Sequence, residues 1–116
     1  MKKIYYLSTC DTCKRIINDL ELKEKGFEFQ DIKTEKITAQ QLTKLHELAG
    51  SYVALFSKVA RKYKELNLAS KQLTEEDYKQ HLLNEYTFLK RPVILYKNNI
   101  FIGNSKAVVN EIKAII

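Results

Sequence analysis

The sequence predicts one α/β domain over residues 1–116, a mixed four-stranded sheet built as β-α-β, a helical insertion, then β-β-α. Three observations carry that expectation. Two short apolar runs near the start flank a helical pattern. Two more near the end are split by a turn signal. Between these halves, at about 36–88, apolar residues recur at helical spacing.

Residues 3–7 read as a short buried strand and 27–32 as a second, with Phe27 and Phe29 on one face. Between them, Cys13, Ile16, Ile17 and Leu20 fall at i, i+3, i+4 and i+7, one face of a helix. Lys23 and Lys25 in a last turn, with Gly26 as a stop, extend that helix to Gly26. Strand, helix and strand at this spacing make a βαβ unit, so the two strands should pair in parallel.

The insertion is too long for a single crossover and should hold several helices. Thr38 with Gln41 fits a capping box leading into Leu42, Leu45, Leu48 and Ala49. A second stripe runs through Leu55, Phe56, Val59, Ala60, Tyr63 and Leu66. Thr74 starts a third segment containing Tyr78 and Leu82. Beyond it, Val93–Tyr96 and Ile100–Ile102 flank Asn98-Asn99, a pair that tolerates positive φ and suits a hairpin turn. Ser105 reads as the N-cap of a last helix burying Val108, Ile112 and Ile115. This element order is that of the thioredoxin fold with an enlarged middle.

An apolar fraction of 45% against a charged fraction of 29% fits a globular chain and excludes a disordered one. The net charge of +6 favours anionic partners, but the lysines are spread along the chain with no nucleic-acid motif to focus them. Ile4–Leu7, after the basic start, is too short for a signal h-region or a membrane span. With its two cysteines forming one CxxC and no export signal, the chain is expected in a reducing cytoplasm, without a membrane partner.

Those two cysteines are Cys10 and Cys13. Cys13 shares the inward face of the first helix. Cys10 precedes it, where unpaired N–H groups and the positive dipole end favour an anion. Cys10 is therefore the candidate nucleophile and Cys13 the candidate resolving thiol. Asp11 opposes a thiolate there, whereas Lys14 and Arg15 favour it, and the balance depends on geometry. A zinc site needs four ligands, and His46 and His81 stand at no ligand-like spacing, so no metal is expected.

Pro92 is the one proline, set at the entry to a predicted strand, and is a candidate cis bond. In a thioredoxin fold that loop faces the cysteine pair. Arg91 would then bring a fixed positive charge to Cys10.

With these segments in view, the chain resembles the arsenate-reductase-like (ArsC/Spx) family, including its YffB-type members. The resemblance rests on Thr9-Cys10-Asp11-Thr12-Cys13-Lys14, on residues 55–68, on Lys90-Arg91-Pro92-Val93-Ile94 and on Ile102-Gly103-Asn104-Ser105. It implies that Cys10 is the catalytic cysteine, Arg91 the arginine facing it and Pro92 a cis-proline. Asp11, Thr12, Lys14 and Pro92 are the candidate substrate-binding residues around them. The arsenate-reducing branch uses two further arginines, at positions where this chain has Ser57 and Gly103. Arg61 and Lys58 are the nearest substitutes for the first.

The resemblance leaves three readings. The leading one is a thiol-disulfide oxidoreductase using glutathione or another thiol as co-substrate and holding no bound cofactor. Its substrate is a small thiol compound or an oxyanion, and glutaredoxin or thioredoxin are candidate partners. The second is a glutaredoxin-coupled arsenate reductase. The third is an Spx-like redox regulator binding the RNA polymerase α subunit. Gly50 and Arg91 fall where that branch makes its polymerase contact, but the sequence ends at Ile116 without that branch's tail.

Overall fold

Alternation of side chains along Lys2–Tyr6 (β1) places Ile4 on one face of a sheet and Lys3 and Tyr5 on the other, all three buried in the computed structural model, which describes residues 1–116. Burial on both faces marks a central strand. β1 is flanked by Glu28–Asp31 (β2), parallel with Ile4 opposite Phe29, and by Val93–Tyr96 (β3), antiparallel with Ile4 opposite Ile94. Asn99–Ile102 (β4) pairs antiparallel with β3, giving the order β2-β1-β3-β4. The expected mixed four-stranded sheet and its βαβ start are present.

Helix α1 (Asp11–Asp19) and the C-terminal helix α5 (Lys106–Ile115) cover one face. Ile4 and Ile94 meet Ile16, Ile17, Leu20, Leu22 and Ile112 in a single apolar cluster. Burying each such side chain contributes about 1.5–3 kcal/mol before entropy is charged against it. On the opposite face, Val93 and Leu95 are also buried, and Lys3 lies 2.8 Å from the Glu28 carboxylate with its ammonium over the Tyr5 ring.

Three local expectations are corrected. Helix α1 stops at Asp19 rather than Gly26, because Glu21 takes a left-handed conformation (φ 53). Its N–H then reaches the Asn18 carbonyl and the Leu22 N–H the Ile17 carbonyl, closing a Schellman motif sealed by apolar Ile17 and Leu22. Gly26 (φ 80) instead ends the turn that follows. The hairpin turn is Lys97-Asn98, not Asn98-Asn99: Tyr96 pairs with Asn99, and Lys97 carries the positive φ of 57. In α5, Ile115 is 45% exposed, and Val108, Val109, Ile112 and Ile116 form the inward stripe. Ser105 caps it as expected, its side chain accepting from the Val108 N–H.

The chain divides into two packed units, Met1–Lys36 with Arg91–Ile116, and Ile37–Lys90. In the second unit, α2 (Ala39–Ala49) and α4 (Glu75–Asn84) begin at capping boxes on Thr38 and Thr74. The stripe from Leu55 to Leu66 is not one helix. Val53–Leu55 is a 3₁₀ turn and α3 spans only Arg61–Glu65. Between them Phe56 is extended and bridged to Leu89, with the Ser57 N–H on the Phe88 carbonyl at 2.7 Å and the Lys90 N–H on the Leu55 carbonyl at 2.9 Å. That long-range pairing outcompetes helix, leaving Val59 94% exposed. Phe56 stacks on Phe88 at 4.7 Å and meets Tyr78 edge-on at 4.9 Å. No helix is long and apolar enough to cross a membrane.

Two substitutions calibrate this architecture. Ile94→Ala, at a site 1% exposed, should lower unfolding free energy by about 2–5 kcal/mol. Thr38→Ala should cost about 1 kcal/mol through the lost cap. Both should shift the urea midpoint with little change in slope.

Candidate active site

The end of β1 and the start of β3 lie at the same end of the sheet because the two strands run antiparallel, with Tyr5 opposite Val93. The Leu7–Cys10 turn and the Arg91-Pro92 segment are thereby brought to one edge. The turn closes with the Cys10 N–H on the Leu7 carbonyl at 3.0 Å, and the Cys10 carbonyl accepts from the Lys14 N–H at 3.2 Å. Cys10 is thus the N-cap of α1, in extended conformation (φ −95, ψ 111). Its side chain makes no capping hydrogen bond, leaving the sulfur beside the N–H groups of the first turn.

Electrostatics separate the two thiols, neither of which is in a disulfide. Burial alone would push the Cys10 thiol up. The N–H and thiol of Cys13, the Arg91 charge and the Thr12 N–H favour an anion there, outweigh burial and hold Cys10 below the usual 9.0. Burial pushes Cys13 the other way, to about 12, aided by the hydrogen bond to Cys10 and the Cys10 charge and opposed by the Leu7 backbone and Arg91. Cys13 is 0% exposed and Cys10 partly open to solvent. One sulfur is poised as an accessible anion and its neighbour kept as a buried proton donor.

The other sequence candidates divide. The Thr12 backbone is among the groups that lower Cys10. The Arg91-Pro92 bond is cis, Pro92 is buried, and its carbonyl accepts from the Gly103 N–H at 2.9 Å. Asp11 opens α1 at an exposed position. Neither Asp11, Lys14 nor Arg15 is among the principal influences on Cys10. Lys14 instead lines a groove with Tyr6 and Phe29.

Asp31, at the end of β2, was not singled out by the sequence. Its carboxylate accepts from the Ser8 N–H at 3.4 Å and the Lys33 N–H at 3.2 Å, tying the cysteine turn to the neighbouring strand. Burial raises the Asp31 carboxyl, but bonds from Ser8 and Lys33 bring it below the usual range. Only the parallel register, Tyr6 opposite Asp31, reveals this contact. No three or more His, Cys, Asp or Glu side chains converge on a metal-sized point; His46 stacks on Tyr52, and His81 packs tilted against Phe56 and edge-on to Phe88. In the second unit, Lys58, Arg61 and Lys64 line a concavity of about 400 Å³.

The profile of the ArsC family matches residues 5–112, nearly the whole chain. The chain belongs to the ArsC family. Solved structures agree on the fold. The arsenate reductase of Vibrio cholerae is similar with a TM-score of 0.79 and 17% identity, over 99% of this chain and 97% of that one. A YffB protein is similar with a TM-score of 0.77 and 19% identity, over 96% and 97%. A Staphylococcus aureus protein, SACOL0876, reaches 27% identity with a TM-score of 0.76, again over 96% and 97%. At these levels the first two likenesses concern the thioredoxin-like fold alone. No curated protein matches the chain in sequence.

Alkylation by iodoacetamide should report the two sulfurs separately, since only thiolates react. The Cys10 rate should fall as pH drops through a midpoint below 9.0, while Cys13 stays unreactive until far more alkaline pH. Arg91→Ala should move the Cys10 midpoint upward and Arg91→Lys restore part of the shift. An unchanged profile in Arg91→Ala would count against that contact.

Proposed function

We propose that this ArsC family member is a thiol-dependent reductase of disulfides or glutathione adducts, with Cys10 as nucleophile. The observation that supports it is the split between the thiols: Cys10 is lowered at the start of α1 and Cys13 raised in the interior. A nucleophile must be ionised and reachable, and only Cys10 is both.

In the first step the Cys10 thiolate attacks one sulfur of the substrate disulfide. A Cys10–substrate bond forms, the substrate S–S bond breaks, and the second sulfur leaves with the electron pair and takes a proton from solvent. Arg91 and the Thr12 and Cys13 N–H groups stabilise the charge on Cys10 before attack and would favour it as leaving group afterwards.

Resolution follows from the same electrostatics. Once Cys10 is in a mixed disulfide, its charge no longer opposes ionisation of Cys13, although burial still does. Cys13 gives its proton to solvent and attacks the Cys10 sulfur, releasing the substrate as a thiolate and leaving a Cys10–Cys13 disulfide. Two equivalents of a small thiol such as glutathione then supply the two electrons that restore the dithiol. Because Cys13 is buried, an external thiol can also resolve the mixed disulfide directly.

Arsenate is the less favoured substrate. A tetrahedral oxyanion is best held by several charged donors. Ser57 and Gly103 stand where the resemblance places two of the three arginines, and Arg91 is the one that matches.

Turnover should be compared for a glutathionylated peptide, a generic disulfide and arsenate, each with and without glutathione. The disulfides should be reduced and arsenate should not. Cys10→Ser should abolish turnover. Without glutathione the wild type should stop after one reduction as the Cys10–Cys13 disulfide and Cys13→Ser should stop as a mixed disulfide detectable by mass, and glutathione should let both turn over. Arsenate reduction matching the disulfide rate would overturn this reading.

A further inference from the structure

Beside the cysteine turn, between α1 and β2, lies a half-open groove of about 290 Å³. Its floor is apolar: Tyr6 and Phe29 meet edge-on with centroids 5.6 Å apart, and Ile17 closes one side. Its rim carries Ser8, Asn18 and two ammonium groups, Lys14 and Lys23. The ion pairs of the chain engage Lys3, His46 and Lys62, so neither rim lysine has a carboxylate partner. The carboxylate behind Ser8, that of Asp31, is already taken up by the Ser8 and Lys33 N–H groups.

The groove and the Cys10 sulfur are held by the same short stretch of backbone. Ser8 lies within the Leu7–Cys10 turn, and the Lys14 N–H bonds the Cys10 carbonyl at 3.2 Å. The groove thus adjoins the turn that carries Cys10, with Ser8 on its rim two residues away.

Resting on the reductase reading, we propose that this groove is a specificity subsite for an acidic peptide segment of a protein disulfide substrate. An apolar or aromatic side chain would lie on Tyr6 and Phe29, and flanking carboxylates would meet Lys14 and Lys23. The volume is at the low end for ligand pockets and suits a side chain with its flanks, not a large cofactor. Charge complementarity selects the sign: two unpaired ammonium groups on a chain of net charge +6 repel a basic segment and attract an acidic one. A small inorganic anion would leave the aromatic floor unused. Lys14 and Lys23 are thus specificity residues, acting on substrate binding rather than on the charge of Cys10.

Two measurements separate this subsite from the reductase reading. In the first, amide NMR spectra of the Cys10→Ser protein are followed while adding a cysteine-free peptide, acetyl-Asp-Glu-Phe-Glu, or its lysine counterpart. The acidic peptide should shift Tyr6, Ser8, Lys14 and Phe29 and the lysine peptide should not. Lys14→Glu with Lys23→Glu should abolish the response. In the second, reduction is measured for two peptide disulfides differing only in acidic or basic flanks. The acidic one should be preferred by about tenfold at low salt, through KM, and the paired charge reversal should erase the preference. Binding without any disulfide reduction would sink the reductase reading and leave the groove standing. Reduction with no flank preference and no shifts would overturn the subsite. So would glutathione disulfide shifting the same residues as strongly as the peptide, since the groove would then belong to a small thiol.

Discussion

The junction between β1 and α1 is the constraint on which the chemistry depends. Leu7 takes the Cys10 N–H and Lys14 gives its N–H to the Cys10 carbonyl, so the backbone of residue 10 is fully engaged. Only its side chain is left to face the open end of the helix. A serine or aspartate there would be an ordinary cap. A thiol makes the same position a source of reactivity, because the donors that would satisfy an oxygen now favour an anionic sulfur. The antiparallel pairing of β1 with β3 then supplies a cation from a remote part of the chain. Strand pairing and helix start each arise from ordinary backbone bonding, and their coincidence sets a cation near a helix-capping sulfur.

Much of this was legible because it is written locally. The i, i+3, i+4, i+7 face of α1 announced which cysteine turns inward, and Thr38, Thr74 and Ser105 announced helix starts through side chains that bond within their own first turn. What failed was decided at a distance or by an untypical residue. Glu21 holds a left-handed position usually given to glycine, so nothing in the sequence marked the end of α1. The stripe around Phe56 had helical spacing, yet bonding with residues 88–90 drew it into an extended bridge.

The site divides along the same line. The lone proline pointed to Arg91, and the CxxC spacing to distinct environments for its sulfurs. Lys14, one turn beyond Cys10, lines a groove with Tyr6 and Phe29 and is not among the principal influences on the Cys10 charge, a distinction that sequence spacing does not make. Asp31 carried no signal, since its contact with Ser8 exists only once two strands are set in register.

The bond from Gly103 to the Pro92 carbonyl has a consequence for how members of such a family diverge. Residue 103 sits at φ +91, with open space where a Cβ would go. Room is therefore not the obstacle to a larger residue; backbone geometry is, because L side chains are strained there. An arginine at this point would carry a backbone strain that glycine avoids, even though its Cβ would meet no neighbour.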